Sequence, residues 1–585
     1  MRYEHEQSGF TVLEVLIGLA ILTVVSTSIY FSYANVLEIV QAAQYNNAAL
    51  SIMESRVETA RNMRYEDVGV VGGVPAGKLQ QTETVTLGSV PFTLHTYVRN
   101  IDDPFDGTLG GTPNDTAPAD YKLVEFQLTC DSCTRYKLLT MATYVAPKNL
   151  ETASRNGSLF VRVLDAFGLP VSGATVHVTN ASVSPPIDLT DITNSDGLLQ
   201  LVDIATSSTG YHITVSKAGH SSDQTYPPGN PANPVKPDAT VATQQLTIST
   251  LAIDLVGALN VRALNQFCAP VNGFDFLMTG GKLIGTQPDV PKYSSSLATG
   301  TDGYFINSGV EWDIYSISPI DIINDIAGTT SSLSFTMDPD MTRTMVWQIA
   351  SRSQDGLSVS VTDQNGLPLD GAQVQMTGTG YDRTQTTGSW TLEQSDWSSG
   401  QYADKSSFLD TSVSGQLTLM LSNGSYASAG QEWLISESYD LGTSSTNFTT
   451  LNWAPASQPP QTGPDSLQFQ LATNNDNTTW SWVGPDGTPS SFFTAPGQAI
   501  PATLASNRYL RYRAYLSTAD DTVTPTLQDV AIGFSSGCVL SGQAYFNGLG
   551  AGSYTATITR AGYQASISTI NISDTWQRAS IQLSP

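Results

Sequence analysis

The chain has 585 residues, enough for about four domains, and only 13% of them are charged. Its formal net charge is −26, from 26 Lys and Arg against 52 Asp and Glu, which argues against a nucleic-acid partner and against attraction to anionic lipid head groups. Plentiful Gly, Pro, Ser and Thr suit exposed β-sandwiches joined by many turns, and not a helical cytosolic enzyme.

The first predicted element is a helix. From Val15 to Leu37 no side chain is charged, a run long enough to cross the hydrocarbon core of a bilayer. Glu14 stands at its head, where an unpaired carboxylate costs at least a few kcal/mol. A secretory signal would carry its small-residue cut site after the apolar run, whereas here Ser8 and Gly9 precede it. A plain anchor gives no reason for the glutamate. The stretch Ser8-Gly9-Phe10-Thr11-Val12-Leu13-Glu14 resembles the N-terminal methylation motif of type IV pilins and pseudopilins. That resemblance implies cleavage after Gly9 by a prepilin peptidase, methylation of Phe10 as the new first residue, and pairing of Glu14 with a neighbouring subunit's amine in a filament. The leader departs from the family in having Arg2 against Glu4 and Glu6, so orientation by positive charge is weakly encoded.

Ala42, Tyr45, Ala49, Ile52, Met53 and Val57 keep the helical period, so the helix is expected to run to about Tyr65, roughly 80 Å in all. Four alternating segments (83–86, 92–100, 121–130 and 135–146) should cover its outer half as an antiparallel sheet. Between the second and third lies a Gly/Pro-rich loop with Asp102, Asp103, Asp106, Asp115 and Asp120. Oxygen donors on such a loop suit Ca²⁺, and no other cofactor is expected, while Asp in turns also serves backbone amides. Some pseudopilins bind calcium in a loop after their sheet. Cys130 and Cys133 flank Asp131-Ser132 in a strand–turn–strand pattern, and a small disulfide pinning the hairpin is preferred over a redox pair or zinc. Cys268 and Cys538 read as buried thiols.

Beyond residue 150 the chain repeats itself. A strand, the turn Gly168-Leu169-Pro170, Gly173-Ala174 and a second strand recur as a strand, Gly366-Leu367-Pro368, Gly371-Ala372 and a strand. The closing segment 210–220 recurs at 552–563, and a weaker copy shows in 258–263, 301–305 and 314–317. These repeats resemble the carboxypeptidase-regulatory-like or collagen-adhesin B-type sandwich. The opening strands carry no lysine, so no isopeptide crosslink is expected. The last copy is interrupted by a stretch with strands expected at 432–438, 467–472, 479–483 and 509–516, whose end resembles a discoidin-like jelly roll.

The expected fold is therefore an α+β N-terminal pilin domain (a long membrane-embedded helix plus an antiparallel sheet) followed by all-β immunoglobulin/prealbumin-like sandwiches. The expected divisions are a leader 1–9, helix 10–65, sheet domain 66–150, sandwiches 154–254 and 256–351, a split sandwich 355–390 with 537–585, and an inserted module 391–536.

No pair of the five histidines lies at metal-ligand spacing, and no Gly-x-Ser-x-Gly, HExxH or phosphate loop occurs, so no enzyme is expected. Trp480 and Trp482, two apart on an expected strand, share a face, where they either stack on sugar rings or fill the core. The reading is a minor pilin or pseudopilin subunit, held single-pass in the cytoplasmic membrane before assembly, with most of the chain outside the cytoplasm, on the cell surface or pilus. Its expected partners are other pilin subunits, the prepilin peptidase, the membrane and surface glycans. The alternatives are a surface adhesin anchored in the membrane without a filament, and a secretion-system pseudopilin.

Overall fold

The computed structural model describes residues 11–87, 90–133, 136–148, 153–352, 355–426, 430–573 and 576–585. It divides into two compact units, one of residues 1–255 with 283–290 and the other of 256–282 with 291–585.

The first unit begins with one helix, Val12–Asn62, of 51 residues. At 1.5 Å per residue it is about 76 Å long. Among the described residues it is the one helix long and apolar enough to cross a membrane. Its first half is exposed apart from half-buried Ala34, with Leu13, Leu16, Ile17, Leu22, Ile29 and Phe31 all uncovered. Its second half buries Ala49, Ile52, Met53, Val57 and Ala60 against a four-stranded antiparallel sheet in chain order: Thr82–Leu87, Val90–Ile101, Tyr121–Thr129 and Leu139–Val145. The pleat decides which side chains meet the helix. In Val90–Ile101 every second residue is buried, so Phe92, Leu94 and Val98 enter one core with Val124, Phe126 and Leu128. The helix stops at Asn62, short of Tyr65, where Met63 turns to extended backbone (ψ 155°) and its amide closes the last turn on the Ala60 carbonyl at 3.3 Å. Buried Lys122 donates from Nζ to the Tyr65 and Val68 carbonyls at 2.8 and 2.7 Å. Burial pulls this amine down to about 8.

The same unit contains the first sandwich, a three-stranded and a five-stranded sheet closing on Val161, Val163, Val176, Leu201, Tyr211 and Ile213. Arg99 of the helix-packed sheet holds Asp191 of this sandwich with both guanidinium arms, at 2.9 and 2.6 Å. Asn100 Nδ2 donates to the Val202 carbonyl beside it at 2.8 Å.

The second unit holds two further sandwiches and the inserted module. All three sandwiches share one unusual pairing, in which the last strand lies parallel to the first. Leu246–Ala252 pairs with Gly157–Leu164, Thr342–Ser351 with Gly257–Asn265, and Trp576–Gln582 with Asp355–Thr362. Parallel neighbours need a long crossover, and the intervening strands of the second sheet supply it. The interrupted sandwich tolerates its insertion because the insertion's ends meet: Trp390–Gln394 pairs antiparallel with Asp529–Ser536. The module between them closes on Trp397, Leu434, Trp453, Phe469, Leu471, Phe493, Tyr512 and Phe534.

The fold is thus a long apolar helix with an antiparallel sheet followed by all-β sandwiches, as the alternation along the chain implied. The segment 479–483 forms no strand; Val483 makes only an isolated bridge to Leu471.

Candidate functional site

Gly9 and Phe10 lie outside the described residues. Glu14 is placed, and its partner is local. The Glu14 amide donates to Thr11 Oγ1 at 3.3 Å, while Glu14 Oε2 accepts from the Thr11 amide and hydroxyl, both at 2.9 Å. This is a capping box, which satisfies two orphan donors at the helix start. Thr11-Val12-Leu13-Glu14 has the Thr-x-x-Glu spacing that announces it. The carboxylate therefore has a role within its own chain.

The five aspartates of the 102–120 loop mostly serve backbone amides. Asp102 Oδ2 accepts from Leu109 N–H at 2.9 Å, Asp103 Oδ1 from Phe105 at 3.1 Å and Asp115 Oδ1 from Ala117 at 2.8 Å. Asp120 accepts from the Asp103 amide, and Asp106 is exposed. Two buried oxygens, Asp102 Oδ1 and Asp115 Oδ2, are left without a partner. Burial pushes Asp102 up to about 6 against the pull of the Leu109 amide, with help from Asp115, Asp120 and Asp106. Calcium takes six to eight oxygens. Among the described residues no three His, Cys, Asp or Glu side chains converge as a metal-holding group. In this conformation the loop does not fit a calcium shell, and turn chemistry accounts for most of its acids.

Both cysteine pairs are disulfides. Cys130 joins Cys133, and Cys268 joins Cys538 across a sequence separation of 270. The second bond corrects the expectation of buried thiols, since only the tertiary fold brings those residues to a Cα distance of 5.3 Å.

Trp480 and Trp482 are half-buried and stand outside the module's core. The core is filled instead by Trp397 and Trp453. Each of the two tryptophans covers an arginine of the strand Tyr509–Leu516. Arg511 Cζ lies 4.7 Å from the Trp480 ring centroid and Arg513 Cζ 4.4 Å from that of Trp482. Trp433 approaches Arg513 from the adjoining strand Glu432–Ser436, at 5.6 Å. The alternation of Tyr509–Leu516 explains this, since Leu510, Tyr512, Ala514 and Leu516 are buried and Arg511, Arg513 and Tyr515 point the other way. The arginines were the missed members of the site. Their i, i+2 spacing in Arg511-Tyr512-Arg513 was the available signal.

Buried Gln470 holds this face in place. Its Nε2 donates to the Pro489 and Ser491 carbonyls at 2.9 and 3.0 Å, and its Oε1 accepts from Tyr515 OH at 2.9 Å. Tyr515 OH in turn accepts from Arg513 Nη1 at 3.3 Å. His177 and His212 each contact one aspartate, Asp188 at 2.7 Å and Asp238 at 3.0 Å, on the first sandwich.

Residues 5–30 match the prokaryotic N-terminal methylation motif family. Among curated proteins, none matches the chain. Similar solved structures include the Bacillus anthracis TIE protein, 10% identical over 87% of this chain and 73% of that one, with a TM-score of 0.16. The shaft pilin SpaA of Lactobacillus rhamnosus GG is 9% identical over 33% of this chain and 98% of its own, with a TM-score of 0.15. The minor pilin of Streptococcus agalactiae is 12% identical over 33% and 96%, with a TM-score of 0.16. Likenesses at these scores carry no functional argument. The motif does: a prepilin-type methylation signal heads this chain, and with the apolar helix it fits a membrane-anchored surface protein.

Proposed function

We propose that this chain is a pilin-type subunit, processed after Gly9 and built into a filament at low copy number, where its sandwiches display a recognition module. The observation that carries the reading is the methylation motif of residues 5–30 running into a helix whose first half is uncovered and whose second half is sheathed by its own sheet. An uncovered apolar half suits lipid before assembly and neighbouring helices afterwards. Once Phe10 becomes the first residue, its amine starts the chain one residue before the capping box. A neighbour's amine then competes with Thr11 for the Glu14 carboxylate. Three sandwiches and an insertion are too bulky to repeat along a tight shaft, which favours a tip or low-copy place. The inserted module offers its aromatic face to surface glycans. The chemistry is assembly and recognition, with no turnover.

The local cap on Glu14 favours one rival, a static anchored adhesin, because it gives the glutamate a purpose without a filament. Co-expression with a prepilin peptidase separates the two. Intact mass and N-terminal sequencing should find a chain beginning at methylated Phe10, lost in Gly9→Ala. An uncut chain beside a competent peptidase would leave the anchored adhesin standing. A secretion-system pseudopilin would be processed identically, and copurifying subunits would identify it.

A further inference from the structure

We propose that the outer face of the strand Tyr509–Leu516 is a binding site for an acidic, carboxylate-bearing carbohydrate, with Arg511 and Arg513 as its anion-holding residues. The proposal deepens the display reading above by naming the ligand class of that face, and its test does not depend on filament assembly.

Charge is the first argument. The chain carries 52 acidic residues against 26 Lys and Arg, yet no carboxylate forms an ion pair with Arg511 or Arg513 among the described residues. The strand pairs an arginine when it needs to: Arg508, just before it, is held by Asp440 with two bonds of 2.7 and 2.9 Å. Across the sheet, the residues opposite Arg511 and Arg513 are Ala472, Gln470 and Ile435, all neutral. A desolvated cation without an anion is costly. Both guanidinium groups are nevertheless partly buried, and each has an Nε with neither solvent nor a hydrogen-bond partner.

Rigidity is the second argument. Trp433, Trp480 and Trp482 lie against the two guanidinium groups, and Gln470, itself 4% exposed, fixes the Tyr515 hydroxyl that accepts from Arg513. Phe492 meets Tyr515 edge-on at 5.3 Å. Arginines held this way lose little side-chain entropy on binding and keep a planar fork that matches a carboxylate. The half-exposed indoles beside them offer apolar surface for a sugar ring. A long polyanion is disfavoured by the acidity of the rest of the chain, so short acidic sugar units fit best.

The test titrates the purified full chain, in neutral detergent, with a trigalacturonate and with its methyl ester, following tryptophan fluorescence. Saturable quenching by the acid, on the order of tenfold weaker or absent with the ester, supports the proposal. Arg513→Met and Arg511→Met keep the aliphatic stem, and each should weaken binding of the acid by about tenfold while the melting temperature holds. If a variant unfolds, Arg→Lys at the same position, which keeps the charge and loses the fork, should still weaken binding. Equal affinity for acid and ester, unchanged binding in folded arginine variants, or no binding of the acid would each overturn it. None of these outcomes bears on cleavage after Gly9, so the two readings fail separately.

Discussion

Cys268 offers the sharpest test of how the second unit holds together. It occupies a left-handed turn position, with φ of +62°, in the second sandwich. The other two sandwiches place Gly168 and Gly366 at the corresponding position, with φ of +80° and +78°. The three turns are built alike: the Cys268 amide donates to the Asn265 carbonyl at 3.1 Å, Gly168 to Asp165 at 3.2 Å and Gly366 to Asp363 at 3.0 Å. A side chain in this region costs about 1 kcal/mol or more, so its presence needs a compensation. The disulfide to Cys538 supplies it, beside a parallel stack of Phe267 on Phe534 with centroids 6.0 Å apart. Gly442 completes the joint, because any Cβ there would sit 1.5 Å from the Phe267 carbonyl oxygen. A disulfide of this kind contributes about 2–4 kcal/mol, and chain entropy for so long a loop sets a ceiling of about 5–6 kcal/mol. Cys268→Ser should therefore lose about 2–4 kcal/mol while keeping the backbone strain. Cys268→Gly loses the same bond and regains about 1 kcal/mol, so it should be the more stable of the two. Denaturant unfolding of the full chain in detergent, with tryptophan fluorescence, reads the order: wild type, then Gly, then Ser. Reduced wild type should match reduced Cys268→Ser, the Cys130–Cys133 bond being open in both. A glycine variant no better than serine would refute the strain argument, and two variants matching wild type would refute the latch.

Asp325 is 0% exposed and is pushed up to about 6 by burial, against the pull of Tyr545 OH at 2.9 Å and Arg352. The folded state thus holds its proton more tightly than the unfolded chain, whose carboxyl titrates near ~4. Its contribution is most favourable below pH ~4 and is lost as pH rises to about 6, an effect on the order of 2–3 kcal/mol. Asp325→Asn should flatten melting temperature against pH in that window, and a slope unchanged from wild type would count against the assignment. In the first unit, Arg99→Met strands Asp191, whose side chain is 4% exposed. About 3–5 kcal/mol should be lost, and Arg99→Met with Asp191→Asn should recover part of it. Calorimetry showing under ~1 kcal/mol for the single variant would sink that estimate.

Much of the fold was legible because its signals are contiguous. The uncharged run after Glu14 specified a helix, and the alternation in 92–100 and 509–516 specified strands with one buried face. In both cases the backbone period alone sorts side chains onto faces. Local sequence also carried the prepilin motif and the Thr11–Glu14 cap. What it could not supply was any fact that depends on distant chain meeting distant chain. Just beyond the helix end at Asn62, Lys122 from a later strand holds the Tyr65 and Val68 carbonyls. Trp480 and Trp482 share a face without forming a strand, each lying over an arginine of Tyr509–Leu516. Cys268 and Cys538, 270 residues apart, meet only through the packing of the second unit. Periodicity is a property of neighbours along the chain. Partnership is a property of packing, which only the tertiary structure decides.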